Sequence, residues 1–536
     1  MKYPILHKVV ITLSLSFCLA LGLFANNKSH ITIAIFSLND FHSAFLRDDS
    51  KGIPGAAAIL QTLDSLKSAY PHHITVAAGD NFGGSYFDQA TNGALMPLFM
   101  QEMGISLSAV GNHEFDKGQD FLQSKWITSP LRPINWDIQY VCANVRNANG
   151  ETPDFAQPFD IQSITLPSGR KVNIAFVGMI TSATPWQASK SKLKGLSFDG
   201  RYNLVLDSLR QTTQYNAVAS ADARILLTHI GTSMDNEAAV WTDKDAPELQ
   251  RILEEDWDGI ITAHTHEKVC GYINERQYPI VQGGWHGEHI SLLKITFDTL
   301  AHRVIAIHPE LCPVHPHSQL SPKAELMENI IDSLLQVTTT PGGSPIGEVL
   351  TELPRNFKHD RTQLLCTTEM GTLVCSSYAE AVREKLDLSD KDVVIGVSHF
   401  GSIRAGFNKG KIRVLDVGEA LPFANAIKVY RLTGEQLLRL FRFGEKHTQL
   451  GIMQYANVKT IKSPQDNIEK LIYISPKGEQ IPLDKQQSYL LAADEYMTLG
   501  GDGYSTDLFP EAAELEVEHL PTTTDAFIHF LKNYRF

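Results

Sequence analysis

Two apolar stretches of this chain end abruptly in a glycine followed by side chains that can bind a metal ion. The run at residues 74–78 stops at Gly79-Asp80, and the run at residues 107–110 stops at Gly111-Asn112-His113. Such runs predict buried strands, and open α/β sheets bind their ligands beyond the carboxyl ends of parallel strands. The sequence therefore predicts a sheet whose edge presents oxygen and nitrogen ligands to a common site.

Three further apolar runs end in the same way, in carboxylate or imidazole side chains. These are residues 31–38 before Asp40 and His42, residues 223–227 before His229, and residues 259–262 before His264 and His266. Carboxylate, imidazole and amide groups together suit divalent ions such as Zn, Mn, Fe or Co. The absence of thiolates argues against a structural zinc or an iron–sulfur site. The candidate metal ligands are Asp40, His42, Asp80, Asn112, His229, His264 and His266.

The order of these motifs resembles that of the calcineurin-like metallophosphoesterases, and in detail their branch of 5'-nucleotidases and UDP-sugar hydrolases. The motifs are Asp-x-His, Gly-Asp, Gly-Asn-His-Glu, a single His and His-x-His, at residues 40–42, 79–80, 111–114, 229 and 264–266. The resemblance covers nearly the whole chain after its N-terminal segment. It implies an α/β fold, in which a linker helix joins a four-layer αββα sandwich to a C-terminal α/β specificity domain.

The resemblance also implies two divalent metal ions as cofactors. The implied ligands are Asp40, His42 and His266 for one ion, Asn112, His229 and His264 for the other, and Asp80 as the bridge between them. Such pairs lie roughly 3.5–4 Å apart and orient a hydroxide for in-line attack on phosphorus. Ala263 stands where the family commonly has the glycine of Gly-His-x-His. A methyl group is a small change, so we expect the ligands to survive it, although it could alter the backbone angle that aims His264.

His113 and Asp116 form a second candidate pair, outside the metal ligands. In the resembling family, the histidine beside the metal-binding amide donates to the phosphoryl group or the leaving oxygen, and the aspartate orients it. A histidine paired with a carboxylate can stay cationic near neutral pH and stabilise charge that grows in the transition state. The alternative is a histidine at a helix start with a cap-like aspartate. We expect Glu114, between them, to be structural.

Three residues of the C-terminal half match substrate-binding positions of the same family. Arg404 matches a phosphate-binding arginine, Tyr496 one of two aromatic residues that sandwich the nucleobase, and Asp502 a ribose-binding carboxylate. A guanidinium can bind phosphate through two parallel hydrogen bonds, which suits Arg404 to this role. The alternative for Tyr496 is a core aromatic residue.

The neighbouring motifs of the C-terminal half depart from the family pattern. His399-Phe400-Gly401 stands where the family has Asn-Gly-Gly, Ser376 replaces an acidic residue, and Ile452 stands where the second stacking aromatic is expected. A further phosphate-binding arginine is missing near Cys366, although Arg361 could substitute for it. We therefore expect the chemistry to be retained and the substrate specificity to be remodelled.

Composition and apolar periodicity divide the chain into parts. These are a signal peptide at residues 1–25, a first domain at 30–313, a linker with one helix at 314–345 and a second domain at 346–536, and the resemblance implies that the first is catalytic and the second confers specificity. Helical spacing of apolar residues predicts helices over residues 55–70, 87–103, 203–215 and 324–335, and apolar runs predict strands over residues 171–178 and 289–297. Interleaved strands and helices indicate a layered α/β architecture.

The N-terminal segment predicts export. Lys2 and Lys8 flank its start, residues 9–24 are apolar, and Ala25 precedes polar residues, as in a secretory signal peptide. Cys18 raises the alternative of a lipid anchor, but the bulky residue before it favours simple cleavage near Ala25. No second long apolar run exists, so we expect a mature protein without a transmembrane span, in the periplasm or at the cell surface.

Cysteines and charge narrow the function further. Beyond Cys18, the chain has Cys142, Cys270, Cys312, Cys366 and Cys375, whose wide spacing matches no zinc finger and no dense disulfide scaffold. Either Cys270 with Cys312 or Cys366 with Cys375 could oxidise, and buried free thiols are the equal alternative. A formal net charge of −13 argues against a general binder of nucleic-acid polymers or anionic membranes. The sequence does not indicate an oligomeric state.

The most favoured activity is hydrolysis of a nucleoside 5'-monophosphate or a related nucleotide to nucleoside and phosphate. Alternatives within the enzymes are a 2',3'-cyclic-nucleotide phosphodiesterase, a nucleotide-sugar pyrophosphatase and a non-nucleotide phosphoesterase. A catalytically silent binding protein is an alternative of another class, but the full ligand set with His113 and Asp116 argues against it.

Overall fold

The central sheet of the N-terminal half begins with the strand His30–Leu38, at the first residue that the computed structural model describes. The described residues are 30–49, 51–85, 88, 91, 93–124, 126–127, 134–135, 138–188, 192–253, 257–273, 278–339, 345–349, 367–446 and 451–533. The predicted signal peptide with Cys18, as well as Arg361 and Cys366, lies outside them.

This sheet has seven strands. In spatial order they are Arg303–Pro313, His289–Asp298, His30–Leu38, His73–Ala77, Leu107–Ala109, Gln139–Val141 and Ala156–Gln157. The five strands from His30–Leu38 onward are parallel to one another, whereas His289–Asp298 is antiparallel to both of its neighbours, His30–Leu38 and Arg303–Pro313. Alternation along the first strand places Ile33 and Ile35 on one face and Ala34 and Phe36 on the other, so that both faces of the sheet are covered.

A second sheet of eight strands packs on the first. In spatial order its strands are Thr232–Asp235, Ala238–Trp241, Lys268–Ile273, Tyr278–Gly283, Gly259–Ile261, Ala223–His229, Lys171–Ile180 and Phe159–Thr165. Ile33 and Ile35 of the first sheet share one buried cluster with Ile174, Phe176 and Ile225 of the second. This cluster forms the core between the two sheets.

Helices cover the two outer faces. Ala56–Ala69, Leu95–Met103 and Pro322–Thr339 pack on the first sheet, and Tyr202–Arg210 and Ala246–Ile252 pack on the second. The predicted four-layer αββα sandwich is therefore confirmed. Within the described part of the helix predicted over residues 87–103, Leu95–Met103 is an α-helix, and Gly93 just before it has a positive φ of 76°, which does not suit a right-handed helix. The helix predicted over residues 203–215 ends as an α-helix at Arg210.

The C-terminal half forms a second α/β unit around a five-stranded sheet. In spatial order its strands are Gln454–Ala456, Val394–Ser398, Ser488–Asp494, Ile427–Thr433 and Glu514–Leu515. The helices Glu369–Lys385, Val414–Ala420 and Thr523–Asn533 share a buried cluster on one face, and Gly434–Gly444 lies in the cluster on the other. Thr368 caps the first of these helices, because its hydroxyl accepts a hydrogen bond of 2.8 Å from the N–H of Gly371.

Shorter elements complete the described structure. The small sheets are Val458–Lys462 with Ile468–Ile474 and Gln480–Pro482, Pro345–Val349 with Gly410–Arg413, Val145–Arg146 with Ser197–Phe198, and Trp126–Ile127 with Ile134–Asn135. The short α-helices are Gln119–Gln123, Thr184–Gln187, Asn216–Ala219 and Glu495–Thr498. The 3₁₀ turns are His113–Lys117, Thr213–Tyr215, Phe400–Ser402, Gly501–Gly503, Thr506–Leu508 and Glu511–Ala513.

Two expectations about the whole chain can be compared with this fold. Within the described residues, no helix has the length and apolar character that a membrane crossing requires. Cys142, Cys270, Cys312 and Cys375 are all free thiols, so the expected alternative of a Cys270–Cys312 disulfide is not formed.

Candidate functional site

The predicted metal ligands sit on strained backbone at strand ends. Asp40, His42, Asp80, His264 and His266 all have positive φ, between 47° and 85°. Side chains other than glycine rarely adopt this left-handed region, and such strain gathers at functional sites, where the surrounding fold enforces it. The conformation turns each side chain away from its strand and toward the edge at which both sheets end.

The two glycines of the central motifs are required by close packing. A Cβ on Gly79 would lie 2.7 Å from the backbone nitrogen of Gly111 and 2.9 Å from the ring of His229. A Cβ on Gly111 would lie 2.2 Å from a carboxylate oxygen of Asp80. The strand ends can therefore approach each other only because neither residue carries a side chain.

Six of the seven predicted ligands come together in two groups of three. Within each group, one ligand atom per residue lies within 4.8 Å of the others; the groups are Asp40, His42 and His266, and Asp80, His229 and His264. In the first group, Nε2 of His42 and Nε2 of His266 face each other at 3.0 Å. Two imidazole nitrogens that face each other in a buried site form the arrangement that is expected when both bind the same cation.

Asp80 lies between the two groups. Its Oδ2 is 3.2 Å from Nε2 of His229 and 3.8 Å from Nε2 of His42. Asn112, the seventh predicted ligand, is 4% exposed, and its Oδ1 has no hydrogen-bond partner within the described part of the chain. Because buried polar atoms are normally paired, this orphaned oxygen and the cluster of imidazoles and carboxylates fit bound divalent metal ions.

Two buried polar residues hold the ligand loops in place. The carboxylate of Glu114 accepts hydrogen bonds from the backbone N–H groups of Asp80, Asn81 and Gly111 at 2.7 to 2.9 Å. The structural role expected of Glu114 agrees with these contacts. Asn39 was not predicted to take part, yet its amide donates to Oδ2 of Asp40 at 2.8 Å. Its place beside Asp40 was the only sequence signal for this role.

His113 and Asp116 form the expected pair. Nδ1 of His113 lies 2.8 Å from Oδ2 of Asp116, and the backbone N–H of His113 donates to Oδ1 of Asp80 at 2.9 Å. Burial disfavours the charged imidazole, but the carboxylates of Asp116 and Asp80 outweigh burial and raise the pKa of His113 to about 9. His113 is therefore a cationic donor next to the ligand cluster.

Arg404 approaches this cluster from the C-terminal half. Its guanidinium carbon is 5.9 Å from the centre of the Phe423 ring, and that ring stacks at 5.8 Å and 11° on the ring of His113. Burial is the main reason that the pKa values of His42 and His266 are lowered, and the nearby charge of Arg404 lowers them further. Arg404 thus adds positive charge to the same site.

Tyr496 and Asp502 lie together, and His399 joins them. Nδ1 of His399 is 2.7 Å from Oδ2 of Asp502, and the His399 ring is 4.8 Å from the Tyr496 ring. Ile452, which stands where the family has its second stacking aromatic residue, is buried, with 1% of its surface exposed. His399 was recognised in the sequence as a departure from the family motif, but not as the partner of Asp502.

Trp285 and His286 also border the ligand cluster, although the sequence did not single them out. The Trp285 ring stacks on His266 at 5.0 Å and on His286 at 3.9 Å, and the backbone N–H of His286 donates to the carbonyl of Asp40 at 2.8 Å. Burial, with the charge of Arg404, lowers the pKa of His286 to about 3. A strand that ends in two glycines before these residues was the available signal.

Comparison with known proteins gives consistent matches over most of the chain. Residues 33–268 match the family model of calcineurin-like phosphoesterases, and residues 345–508 match that of the 5'-nucleotidase C-terminal domain. The chain is 24% identical over 520 residues to the trifunctional nucleotide phosphoesterase protein YfkN of Bacillus subtilis (strain 168), covering 90% of this chain and 33% of that protein. It is 22% identical over 518 residues to an apyrase of Aedes aegypti, covering 88% of this chain and 85% of that protein.

The fold has solved counterparts as well. The crystal structure of a 5'-nucleotidase precursor from Thermus thermophilus superposes with a TM-score of 0.70 at 19% identity, over 94% of this chain and 96% of that one. At this identity the likeness concerns the fold. The chain spans 33% of the length of the Bacillus relative and 85% of that of the mosquito relative.

Proposed function

Because the chain belongs to the calcineurin-like phosphoesterases that carry a 5'-nucleotidase C-terminal domain, we propose that it hydrolyses nucleotides to nucleoside and phosphate. The observation that carries this proposal is the position of His113 and Arg404, two cationic groups from different halves, beside one cluster of buried metal-ligating side chains. Nucleotide substrates are also what the names of the Bacillus relative and of the solved Thermus structure indicate for those proteins.

The proposed cofactors are two divalent metal ions of the Zn, Mn, Fe or Co type. Their ligands would be Asp40, His42 and His266 for one ion, Asn112, His229 and His264 for the other, and Asp80 between them. When bound, such a pair supplies a nucleophile at neutral pH and stabilises charge on the phosphoryl oxygens. The strained backbone and the hydrogen bonds of Glu114 and Asn39 keep the ligand side chains in position before the ions arrive.

His113 would donate a proton or a hydrogen bond to the oxygen that leaves phosphorus. Asp116 binds Nδ1, which orients the ring and leaves Nε2 as the donor toward substrate. The hydrogen bond from the His113 backbone to Asp80 ties this donor to the ligand cluster, so that its distance from the reacting group is fixed.

Arg404 would bind the phosphate from the C-terminal half. A guanidinium offers parallel donors to two phosphate oxygens, and its place near His42 and His266 puts those donors beside the ligand cluster. In this proposal residues 30–313 perform the chemistry, residues 314–345 link the halves, and residues 346–536 recognise the substrate, with Tyr496 and Asp502 at its edge.

A phosphate-release assay tests the proposal. Purified protein, with Mn²⁺ or Zn²⁺ added, is incubated with nucleoside 5'-monophosphates, di- and triphosphates and an activated aryl phosphate, and free phosphate is measured. For 2',3'-cyclic nucleotides and nucleotide sugars, whose first hydrolysis releases no free phosphate, the nucleoside monophosphate product is measured by chromatography. Release of phosphate from the nucleotides, lost on chelation, is expected. Turnover of the aryl phosphate alone would favour a non-nucleotide phosphoesterase, and metal binding without any turnover would favour a binding protein.

Export is part of the proposal. Residues 1–25 would be removed as a signal peptide, which places the enzyme in the periplasm or at the cell surface, where it would act on external nucleotides. N-terminal sequencing of the mature protein separates cleavage near Ala25 from a lipidated N-terminus at Cys18. A mature protein that retains residues 1–25 in the cytoplasm would contradict export.

A further inference from the structure

The side chain of Tyr496 joins the two halves of the molecule. Its hydroxyl donates a hydrogen bond of 2.9 Å to the backbone carbonyl of Trp186, 310 positions earlier in the chain. The same hydroxyl lies 3.4 Å from Oδ1 of Asp502, a longer contact. The proton of the hydroxyl is therefore best placed toward the carbonyl of the other half.

The ring of Tyr496 is fixed by its own half. A Cβ on Gly501 would lie 2.2 Å from a ring carbon of Tyr496, so the backbone of Gly501 packs directly on this ring. The ring of His399, which Asp502 holds by a hydrogen bond, contacts it at 4.8 Å. Both contacts reduce the ring surface left for a substrate, and they aim the hydroxyl at Trp186.

The segment that receives this hydrogen bond is anchored on its own side too. Thr181 and Ser182, just before the helix Thr184–Gln187, hydrogen-bond through their hydroxyls to Asp243 and Asp245. Lys244 places its ammonium group 3.7 Å from the centre of the Trp186 ring, a cation–π contact. The segment is thus held by residues 243–245, and its last residue, Gln187, contacts the ligand cluster.

Gln187 contacts one of the proposed metal ligands. Its side-chain nitrogen lies 3.0 Å from Nε2 of His264, and its Oε1 is buried without a hydrogen-bond partner among the described residues. Partners of this kind hold the ring of a ligating histidine in one orientation, and their loss weakens metal binding and activity by roughly 10- to 100-fold. A continuous path of contacts therefore leads from Tyr496 through Trp186 and Gln187 to His264.

We propose that Tyr496 is a positioning residue, whose hydroxyl holds the carbonyl of Trp186 and thereby keeps Gln187 in contact with His264. The inference rests on the proposed metal-dependent hydrolysis, and it gives Tyr496 a role different from base stacking. Base stacking requires only the aromatic ring. The positioning role requires the hydroxyl, so replacement of tyrosine by phenylalanine separates the two roles.

The decisive variant is Tyr496→Phe. Loss of one hydrogen bond predicts a decrease in kcat of about 3- to 10-fold, equal for a nucleotide and for an activated aryl phosphate, with KM unchanged. Mn²⁺ titration of the metal-free protein should show weaker binding by a similar factor. The matched control is Tyr489→Phe, which removes a hydroxyl in the same half whose hydrogen bonds, to Asp484 and Gln487, stay within that half. We expect this control to behave as wild type in both measurements.

A double-mutant cycle tests the path itself. Gln187→Ala should decrease kcat and Mn²⁺ affinity by about tenfold or more, and Tyr496→Phe added to it should change little further, because both changes act on His264. Wild-type kcat and Mn²⁺ affinity in Tyr496→Phe, or fully additive effects in the double variant, would overturn the proposal. If wild type itself hydrolyses no phosphate ester, the proposed function fails, and the Mn²⁺ titrations of the same variants still decide the positioning role.

Discussion

The cluster of candidate metal ligands in the N-terminal half and the candidate substrate-binding residues of the C-terminal half are built in different ways. In the cluster, the candidate ligands lie at or just after the ends of strands, and backbone with positive φ presents five of the seven. In the C-terminal half, the candidate residues are occupied by one another: His399 pairs with Asp502 across 103 positions, and Tyr496 reaches Trp186 across 310. Chemistry therefore depends here on local motifs, and recognition depends on contacts between distant segments.

The comparison has a consequence for specificity. Asp80, Asn112 and His229 keep atoms directed at a shared centre, so the N-terminal half is ready to bind metal ions. Asp502 is held by His399, and the Tyr496 ring lies against Gly501 and His399, so little of either is left to bind a nucleoside. We therefore expect substrate binding to rest mainly on Arg404 and the phosphate, with tolerance for different bases.

The largest effect is expected from a substitution in the cluster of candidate metal ligands in the N-terminal half. Asp80→Ala removes the carboxylate that lies between the two ligand groups, so two bound cations would repel each other without a bridging anion. We predict loss of most bound metal and essentially all hydrolysis, measured by elemental analysis and phosphate release. Asp154→Ala, at an exposed carboxylate, is the control. Two full metal equivalents in an active Asp80→Ala protein would refute the assignment.

The next largest effect is expected from His113, and it distinguishes a proton donor from a metal ligand. His113→Ala should retain its bound metal and bind substrate nearly normally, while turnover falls by about 100-fold or more, as expected when a general acid is lost. Asp116→Asn keeps the ring but weakens the ion pair at Nδ1, so it should cause a smaller loss. If His113→Ala keeps wild-type turnover, the pair is a helix-start feature without a role in the reaction.

Arg404→Ala tests whether recognition rests on the phosphate. Hydrogen bonds to charged groups contribute about 1.5–3 kcal/mol, so KM should rise by roughly tenfold or more. The increase should be the same for a nucleotide and for an aryl phosphate, because both share the phosphate. Arg431→Ala, at an exposed arginine in the same half, should leave both KM values unchanged. A KM that rises for nucleotides alone would show that Arg404 contacts the nucleoside and not the phosphate.

The sequence was a better guide to the first half than to the second for a physical reason. The Gly-Asp and Gly-Asn-His motifs are local, since the absence of a side chain at Gly79 and Gly111 is what lets the strand ends meet. The pairing of His399 with Asp502 joins a turn after one strand to a glycine-rich turn after another. A departure from a motif shows that something changed there, but its new partner becomes visible only in the folded chain.

The smallest expected effect concerns the His399–Asp502 pair. Burial, the largest single influence, lowers the pKa of His399, but the carboxylates of Asp502 and Asp494 together outweigh it and raise the pKa above the ordinary 6.5. The pKa of His399 is thus higher in the folded protein than in the unfolded chain. The pair therefore contributes its full stabilisation of the fold at pH values below the unfolded pKa, and this stabilisation is lost as the pH rises through the folded pKa.

His399→Asn should therefore lower Tm by about 2–4 °C near pH 6, with a difference from wild type that shrinks as the pH rises above the ordinary histidine pKa of 6.5. Thermal unfolding of both proteins across this range is the measurement. His519→Asn is the matched control, because His519 has an 86% exposed side chain, and its Tm should follow wild type throughout. A His399→Asn difference that stays constant or grows with pH would show that His399 is neutral in the folded protein. The contact with Asp502 would then be a hydrogen bond from a neutral imidazole and not an ion pair.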